Sequence, residues 1–146
     1  MKNEQNEAQA LEIWETNEDK ILSVGDLKHK HFILAQRRII QNPPVVVINI
    51  DTNWSIELSR RVISEWRTKS RTRERIISIQ LLEALIIGAK YIETIKDTKG
   101  TPGIDSVSYF ENQCKINGKM YKISITIKTQ KPNNRRFAYY FSATKI

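Results

Sequence analysis

Two alternating segments joined by Asn117-Gly118 constrain the fold of this chain more than any other feature. Residues 106–116 and 119–130 alternate with a period of two, apart from Phe110, where we expect a β-bulge. An Asn-Gly pair favours a type I′ turn, because both central residues of that turn have positive φ. The pattern therefore predicts an antiparallel hairpin. A turn at residues 131–134 and a last strand over residues 135–145 follow it.

The first two thirds of the chain is mainly helical in pattern. Apolar spacing predicts helices over residues 6–22, 26–41, 56–67 and 73–87, and β-branched residues predict strands at 45–50 and 91–95. The helix over 73–87 is apolar on almost every side, so we expect it to be buried. The predicted fold class is α+β, with N-terminal helices followed by a three- to four-stranded antiparallel β-sheet packed on that buried helix.

The length and hydropathy of the chain suggest how it is organised. With 146 residues it falls in the range of one domain, which we divide into a helical N-terminal extension, 1–50, and a main domain, 51–146. No apolar run approaches the ~18 residues of a membrane span, and the acidic N-terminus does not resemble a secretory signal. We expect a cytoplasmic protein without membrane contact, and the single cysteine, Cys114, fits a reducing compartment.

Positive charge is concentrated in the later part of the chain. The net charge is +8, yet residues 1–20 hold six acidic and two basic residues, so the remainder carries +12. No acidic residue follows Glu111. A surface of this kind favours phosphate-rich partners. The alternative is a solvated basic surface that has no partner.

Alternation along the last strands predicts one apolar and one polar face. The apolar positions are Tyr121, Ile123, Ile125, Ile127, Phe137, Tyr139, Phe141 and Ala143, with Val107 and Tyr109 as the apolar residues of the first hairpin strand and Ser106 and Ser108 opposite them. The polar positions are Lys122, Ser124, Thr126, Lys128, Arg136, Tyr140, Ser142 and Thr144. Cations and hydroxyls on a rigid sheet suit phosphate and ribose. The polar face also fits the wet side of an ordinary antiparallel sheet.

A second basic segment has a cation at every second position. Arg67, Lys69, Arg71 and Arg73 lie in a stretch without apolar residues, which predicts an exposed loop. A phosphate backbone would neutralise these charges with release of counterions. The alternative is a solvated loop that leads into the next helix. The candidate nucleic-acid-binding residues are Arg67, Lys69, Arg71, Arg73, Thr126, Lys128, Ser142 and Thr144.

The chain offers few groups for catalysis. Its histidines, His29 and His31, are two residues apart and are expected at the surface, and no metal-ligand spacing or cofactor motif is present. A metal-independent RNase needs a base, an acid and cations that stabilise developing charge. Glu111 is the candidate base, and its alternative role is that of a surface acid on a strand. The candidate catalytic residues are Glu111, Lys122, Arg136 and Tyr140.

Several segments resemble a domain of large polyvalent proteins of phages and conjugative elements, within the barnase–EndoU–colicin–RelE (BECR) superfamily of RNases. They are ISEWRTKSRTRERIISIQLLEAL (63–85), AKYIET (89–94), KGTPGIDSVSYFENQCKINGKMYKISITIK (99–128) and RRFAYYFSATKI (135–146). The resemblance implies helices followed by a four-stranded antiparallel sheet, with metal-independent attack on RNA, often as a toxin. Relatives often carry histidines where this chain has Ser108 and near Phe141, so a histidine-based mechanism is not expected here.

Two hypotheses from different classes follow. The first is a metal-independent RNase-like domain of phage or conjugative-element origin, acting as a nuclease or toxin on RNA such as tRNA, with an immunity or antitoxin protein as a second partner. The second is a catalytically inert nucleic-acid- or protein-binding module of a mobile-element protein. Both depend on a polar sheet face that residues 1–50 leave uncovered, with Lys122, Thr126, Arg136 and Tyr140 together on it.

Overall fold

The computed structural model describes residues 11–146. The elements in chain order are β1 Leu11–Ile13, α1 Asn17–Lys20, α2 Val24–Ile39, β2 Val45–Ile48, β3 Ser55–Leu58, α3 Arg60–Lys69, α4 Arg73–Ile77, a 3₁₀ turn Ser78–Leu81, α5 Leu82–Ile87, β4 Lys90–Lys96, β5 Ile104–Ile116, β6 Lys119–Gln130 and β7 Arg136–Lys145. Residues 6–10 of the first predicted helix lie outside the described residues. The α+β class is confirmed.

The sheet is larger than predicted. Its seven strands have the order β1-β5-β6-β7-β3-β2, and β4 pairs with β5 beside β1. Strands β5, β6 and β7 are antiparallel, as the hairpin pattern predicts. The turn between β5 and β6 has φ of 52° at Asn117 and 81° at Gly118, as a type I′ turn requires. Strands β1, β2 and β3 widen the sheet at its two edges.

Two predicted helices were wrong in part, because a short strand occupies described residues of each. Leu11 and Ile13 pair in parallel with β5, and only Asn17–Lys20 of the predicted helix over 6–22 is helical within the described residues. Residues 55–58 form β3, and α3 begins only after Ser59, whose hydroxyl accepts a hydrogen bond from the Arg61 N–H. Helix α3 continues to Lys69, so the predicted loop over 67–73 shortens to residues 70–72.

One core lies between the sheet and the helices. The segment 73–87 contributes to this core, but in place of the single buried helix that we predict it forms α4, the 3₁₀ turn and α5. Its fully buried side chains are Ile76, Ile77, Ile79, Leu82 and Leu85. They meet the inward residues of β6, Ile123, Ile125 and Ile127. Leu27, Ala35 and Ile39 of α2 belong to the same core.

The inward face of β5 differs from the prediction. Ser106, Ser108 and Phe110 point into the core side of the sheet and are almost fully buried, whereas Tyr109 is exposed on the other side. Strand β5 keeps its alternation through Phe110, and its register shift lies between Ile104 and Ser106 instead. Ser108 can be buried because its hydroxyl lies 2.7 Å from Thr94 Oγ1 on β4, within hydrogen-bond distance.

A β-bulge in β7 changes which of its residues face the core. Thr126 pairs with Tyr140 but Ile127 pairs with Ala138, so Tyr139 is the extra residue. Before the bulge the predicted alternation is therefore reversed. Ala138 is fully buried, and Phe137 pairs with Lys128 on the polar side. Arg136 pairs with the buried Thr129 and points to the core side, which corrects its predicted position.

The turn glycine provides a first prediction. Gly118→Ala should lower the free energy of unfolding by about 1–2 kcal/mol, because alanine is strained at positive φ. An added Cβ would also lie 3.0 Å from the Trp14 ring. Gly25→Ala is the control, because Gly25 is helical with no atom within 4 Å, and it should stabilise by up to about 1 kcal/mol. Urea unfolding measures both, and equal destabilisation by the two would contradict this account.

Candidate nucleic-acid interface

The polar side of β5, β6 and β7, here called the outer face, carries most of the predicted binding residues. Thr126 lies between Tyr109 and Tyr140 in the register of the three strands, and Ser124 lies between Glu111 and Ser142. The other predicted residues on this face are Lys122, Lys128 and Thr144. Lys122, Thr126 and Tyr140 thus share one face, as the sequence predicts.

A groove of about 390 Å³ crosses one end of this face. We call it the outer groove. The loop at residues 97–101 forms one wall, and β5, β6 and β7 form the floor. Its cationic residues are Lys96, Lys99 and Lys128, and its tyrosines are Tyr109, Tyr139 and Tyr140. Asp97, the acid of the lining, accepts a 2.8 Å hydrogen bond from the Thr101 N–H and so is engaged in its own loop.

Cations lie over tyrosine rings along the edge of the outer groove. Lys128 Nζ is 3.5 Å from the ring centroid of Tyr139, and Lys69 Nζ is 4.5 Å from that of Tyr140. The Arg61 guanidinium carbon lies 5.2 Å from the Tyr139 ring. A cation over an aromatic face is attracted by the ring quadrupole without losing its charge. These rings hold positive charge at the groove without neutralising it.

Helix α3 places one acid beside the two cations that lie over Tyr139 and Tyr140. Glu65 lies 2.8 Å from Lys69 Nζ and 3.5 Å from Arg61 Nη1. The hydrogen bond from Lys69 lowers the pKa of the Glu65 carboxyl, and the same hydrogen bond raises the pKa of Lys69. Both groups are therefore charged at neutral pH, and Glu65 is an anion beside the tyrosines.

The four predicted catalytic residues do not converge. Glu111 and Lys122 form an ion pair of 3.0 Å on the outer face. Tyr140 lies two strands and two positions away from Glu111, which strand spacing makes more than about 10 Å. Arg136 is on the other side of the sheet, 3.9 Å from the Trp54 ring, and its Nε is buried without a partner among the described residues.

The predicted basic loop is dispersed in the structure. Arg67 stacks on the Phe32 ring at 3.9 Å, and Lys69 lies over the ring of Tyr140, which lines the outer groove. Arg71 is exposed, with no hydrogen bond to another described residue. Arg73 donates to Glu15 Oε2 and to the carbonyl oxygens of Asp19 and Leu22. The Arg73 guanidinium thus binds the segment before α2, in place of the exposed loop position that we predict.

The described part of the acidic N-terminus does not pair with the outer face. Glu15 binds Arg73, and Asp19 binds Lys30 and His31. His31 is buried against Asp19 at 2.9 Å, so the expectation of two surface histidines was wrong for His31. Burial tends to raise the pKa of Asp19, but hydrogen bonds from Lys30 and His31 outweigh it and lower that pKa.

Sequence reasoning missed several residues of the outer groove. They are Lys96, Lys99, Tyr109 and Tyr139 in its lining, together with Arg61, which lies over the Tyr139 ring, and Glu65, which pairs with Arg61. The two lysines belong to a segment with turn composition, and Tyr139 was assigned to the core because alternation hides a bulge. Two adjacent tyrosines in one strand were the available indication, because strict alternation would bury one of them.

In residues 11–146, no helix is long and apolar enough to cross a membrane, and no metal-binding cluster of three acidic, histidine or cysteine residues occurs.

Comparison with known proteins gives one match. No curated protein and no solved structure is significantly similar to the chain. The family model of the large polyvalent protein-associated domain 3 matches residues 15–140. This match includes β2, β3 and the helices before them as well as β5, β6 and the first half of β7. Because it covers most of the chain, the protein belongs to the large polyvalent protein-associated domain 3 family.

Proposed function

We propose that this chain is an RNA-binding module of a phage or conjugative-element polyvalent protein, and that the outer groove takes single-stranded RNA. The observation that carries the proposal is the pairing of groove cations with tyrosine rings. Lys128 and Lys69 both lie over rings that face the groove. Positive charge and flat aromatic surface therefore occur at one place, as single-strand binding requires.

The chemistry of the groove favours unpaired RNA. Successive bases of a single strand stack on aromatic side chains, while lysines follow the phosphates. Tyr109, Tyr139 and Tyr140 provide the rings, and Thr126 provides a hydroxyl on the groove floor. Hydroxyls in such a position can bond the ribose 2′-OH, the group that distinguishes RNA from DNA. A duplex offers its bases only through its grooves and could not stack on these rings.

Binding to the groove is tested with a fluorescent single-stranded oligouridylate and measured by anisotropy. We expect the logarithm of affinity to fall linearly with that of salt concentration, by about 0.7 for each phosphate neutralised. Lys128→Gln should weaken binding and reduce this slope by about 0.7, the contribution of one phosphate. Lys119→Gln is the control, because Lys119 is exposed beside the hairpin turn, away from the groove. Absence of binding, or equal effects of the two variants, would rule the groove out.

RNA cleavage within the BECR superfamily is the second candidate function. It is favoured by Glu111, which lies opposite Lys90 on β4 and pairs with Lys122 on β6. A carboxylate between two cations could take a proton while the lysines stabilise a phosphorane. In a separate incubation with tRNA followed by gel electrophoresis, the wild type would shorten the tRNA and Glu111→Gln would leave it intact. If both leave tRNA intact, the module binds and does not cut. An active toxin would also need an immunity partner for expression.

A further inference from the structure

Glu65 is an acid in the middle of the cations that border the outer groove. It lies four residues after Arg61 and four before Lys69, so the three side chains share one face of α3. The carboxylate-bearing side chain is only 16% exposed, whereas those of Arg61 and Lys69 are 55% and 51% exposed. The acid is thus more deeply placed than the two bases that hold it.

The same two bases also lie over the tyrosine rings of the groove. Lys69 Nζ is 4.5 Å from the Tyr140 ring centroid while it is 2.8 Å from Glu65 Oε1. Arg61 is shared in the same way between Glu65 and Tyr139. A salt bridge that only supported the helix would not require two aromatic contacts. The arrangement aims both cations at the floor of the groove and places one anion between them.

We propose that Glu65 occupies the position of an RNA phosphate. In the free protein its carboxylate keeps Arg61 and Lys69 in place, and a phosphodiester of the bound strand takes over these two cations while Glu65 turns away. The inference rests on the proposed RNA-binding function and deepens it by assigning a phosphate subsite to α3. The step is an exchange of ion-pair partners, and no bond is made or broken.

The exchange is physically reasonable because the two anions are alike. Carboxylate and phosphate oxygens both accept charge-assisted hydrogen bonds from guanidinium and ammonium groups. Exposed ion pairs are weak, typically below about 1 kcal/mol, so a phosphate with further contacts in the groove can displace the acid. Glu65 repels any phosphate that stays nearby without binding Arg61 and Lys69. It therefore lowers the affinity for RNA.

The test compares Glu65→Gln with the wild type for binding of the same oligouridylate by anisotropy. Removing the competing charge should tighten binding by about two- to tenfold at low salt. Glu65→Ala, which removes the charge without leaving an amide, should give the same gain. Glu57→Gln is the matched control, because Glu57 also forms an ion pair, with Arg135, but that pair does not involve the cations that lie over the groove tyrosines. It should change affinity by less than about twofold.

A double-mutant cycle locates the effect at the two cations. In a protein that already carries Arg61→Met and Lys69→Met, Glu65→Gln should no longer tighten binding, because the subsite is gone. The proposal is overturned if Glu65→Gln and Glu57→Gln behave alike, if Glu65→Gln weakens binding, or if the gain persists in the double-Met background. These outcomes differ from failure of the RNA-binding function itself, in which the wild type does not bind the oligouridylate at all.

Discussion

Replacing Arg73 by Met is expected to lower the free energy of unfolding by about 2–4 kcal/mol. The guanidinium bonds Glu15 Oε2 at 2.8 Å, the Leu22 carbonyl at 2.9 Å and the Asp19 carbonyl at 2.6 Å. These acceptors belong to the segment that connects β1 to α2. Without Arg73 the Glu15 carboxylate, 7% exposed, loses its cation. An unpaired buried charge is expensive, which explains the size of the effect.

Arg71→Met provides the comparison for Arg73→Met. Both arginines lie in the basic segment that the sequence marks for nucleic acid, yet only Arg73 bonds the N-terminal segment. Arg71→Met should change stability by no more than about 0.5 kcal/mol. Urea unfolding followed by circular dichroism measures both variants. Affinity of folded Arg73→Met for RNA should equal that of the wild type, and a loss of affinity without a loss of stability would restore Arg73 to the binding surface.

Replacing Tyr139 and Tyr140 by Ala is expected to have the largest effect on binding. Stacking of a base on an aromatic side chain contributes about 1–3 kcal/mol, or roughly five- to a hundredfold in affinity for each tyrosine. Both rings line the outer groove and lie beneath cations. Their loss would remove the stacking surface together with the contact that positions Lys69 and Lys128. The change in affinity is measured by anisotropy with the oligouridylate.

The corresponding Phe variants separate the ring from the hydroxyl. Tyr139→Phe and Tyr140→Phe keep the aromatic face, so affinity should change little if stacking dominates. The salt dependence of Phe variants should match the wild type, because no charge is removed. Wild-type affinity in the Ala variants, or an equal loss in Phe and Ala variants, would show that bases do not stack on these rings.

The antiparallel part of the fold was predictable from local patterns. The hairpin was fixed by long alternating segments and by the Asn117-Gly118 turn, which need no knowledge of distant residues. Strands β1 and β3 were missed because three or four residues are too short to distinguish a period of two from a helical period. Their partners, on β5 and β7, are also far away in sequence.

The candidate site was predictable only as far as strict alternation held. Lys122, Thr126 and Tyr140 share a face because the strand pairs between β6 and β7 that contain them are not interrupted by a β-bulge. Arg136 was misplaced because the bulge at Tyr139, three residues after it in β7, has no glycine or proline to mark it. Arg73 was misplaced because the sequence cannot show which cation of a basic segment donates hydrogen bonds to carbonyl oxygens of a segment that is distant along the chain.

The extra residue at Tyr139 also determines the phase of the whole first part of β7. If the same residues paired without the bulge, Tyr139 would lie opposite Ile127, and Arg136 would turn toward the groove and Phe137 toward the core, although no side chain had changed. Related chains that agree residue by residue in this strand could therefore present opposite sets of groups to a ligand. Gain or loss of the bulge, more than the exchange of single side chains, is the change that would redirect what members of the family recognise.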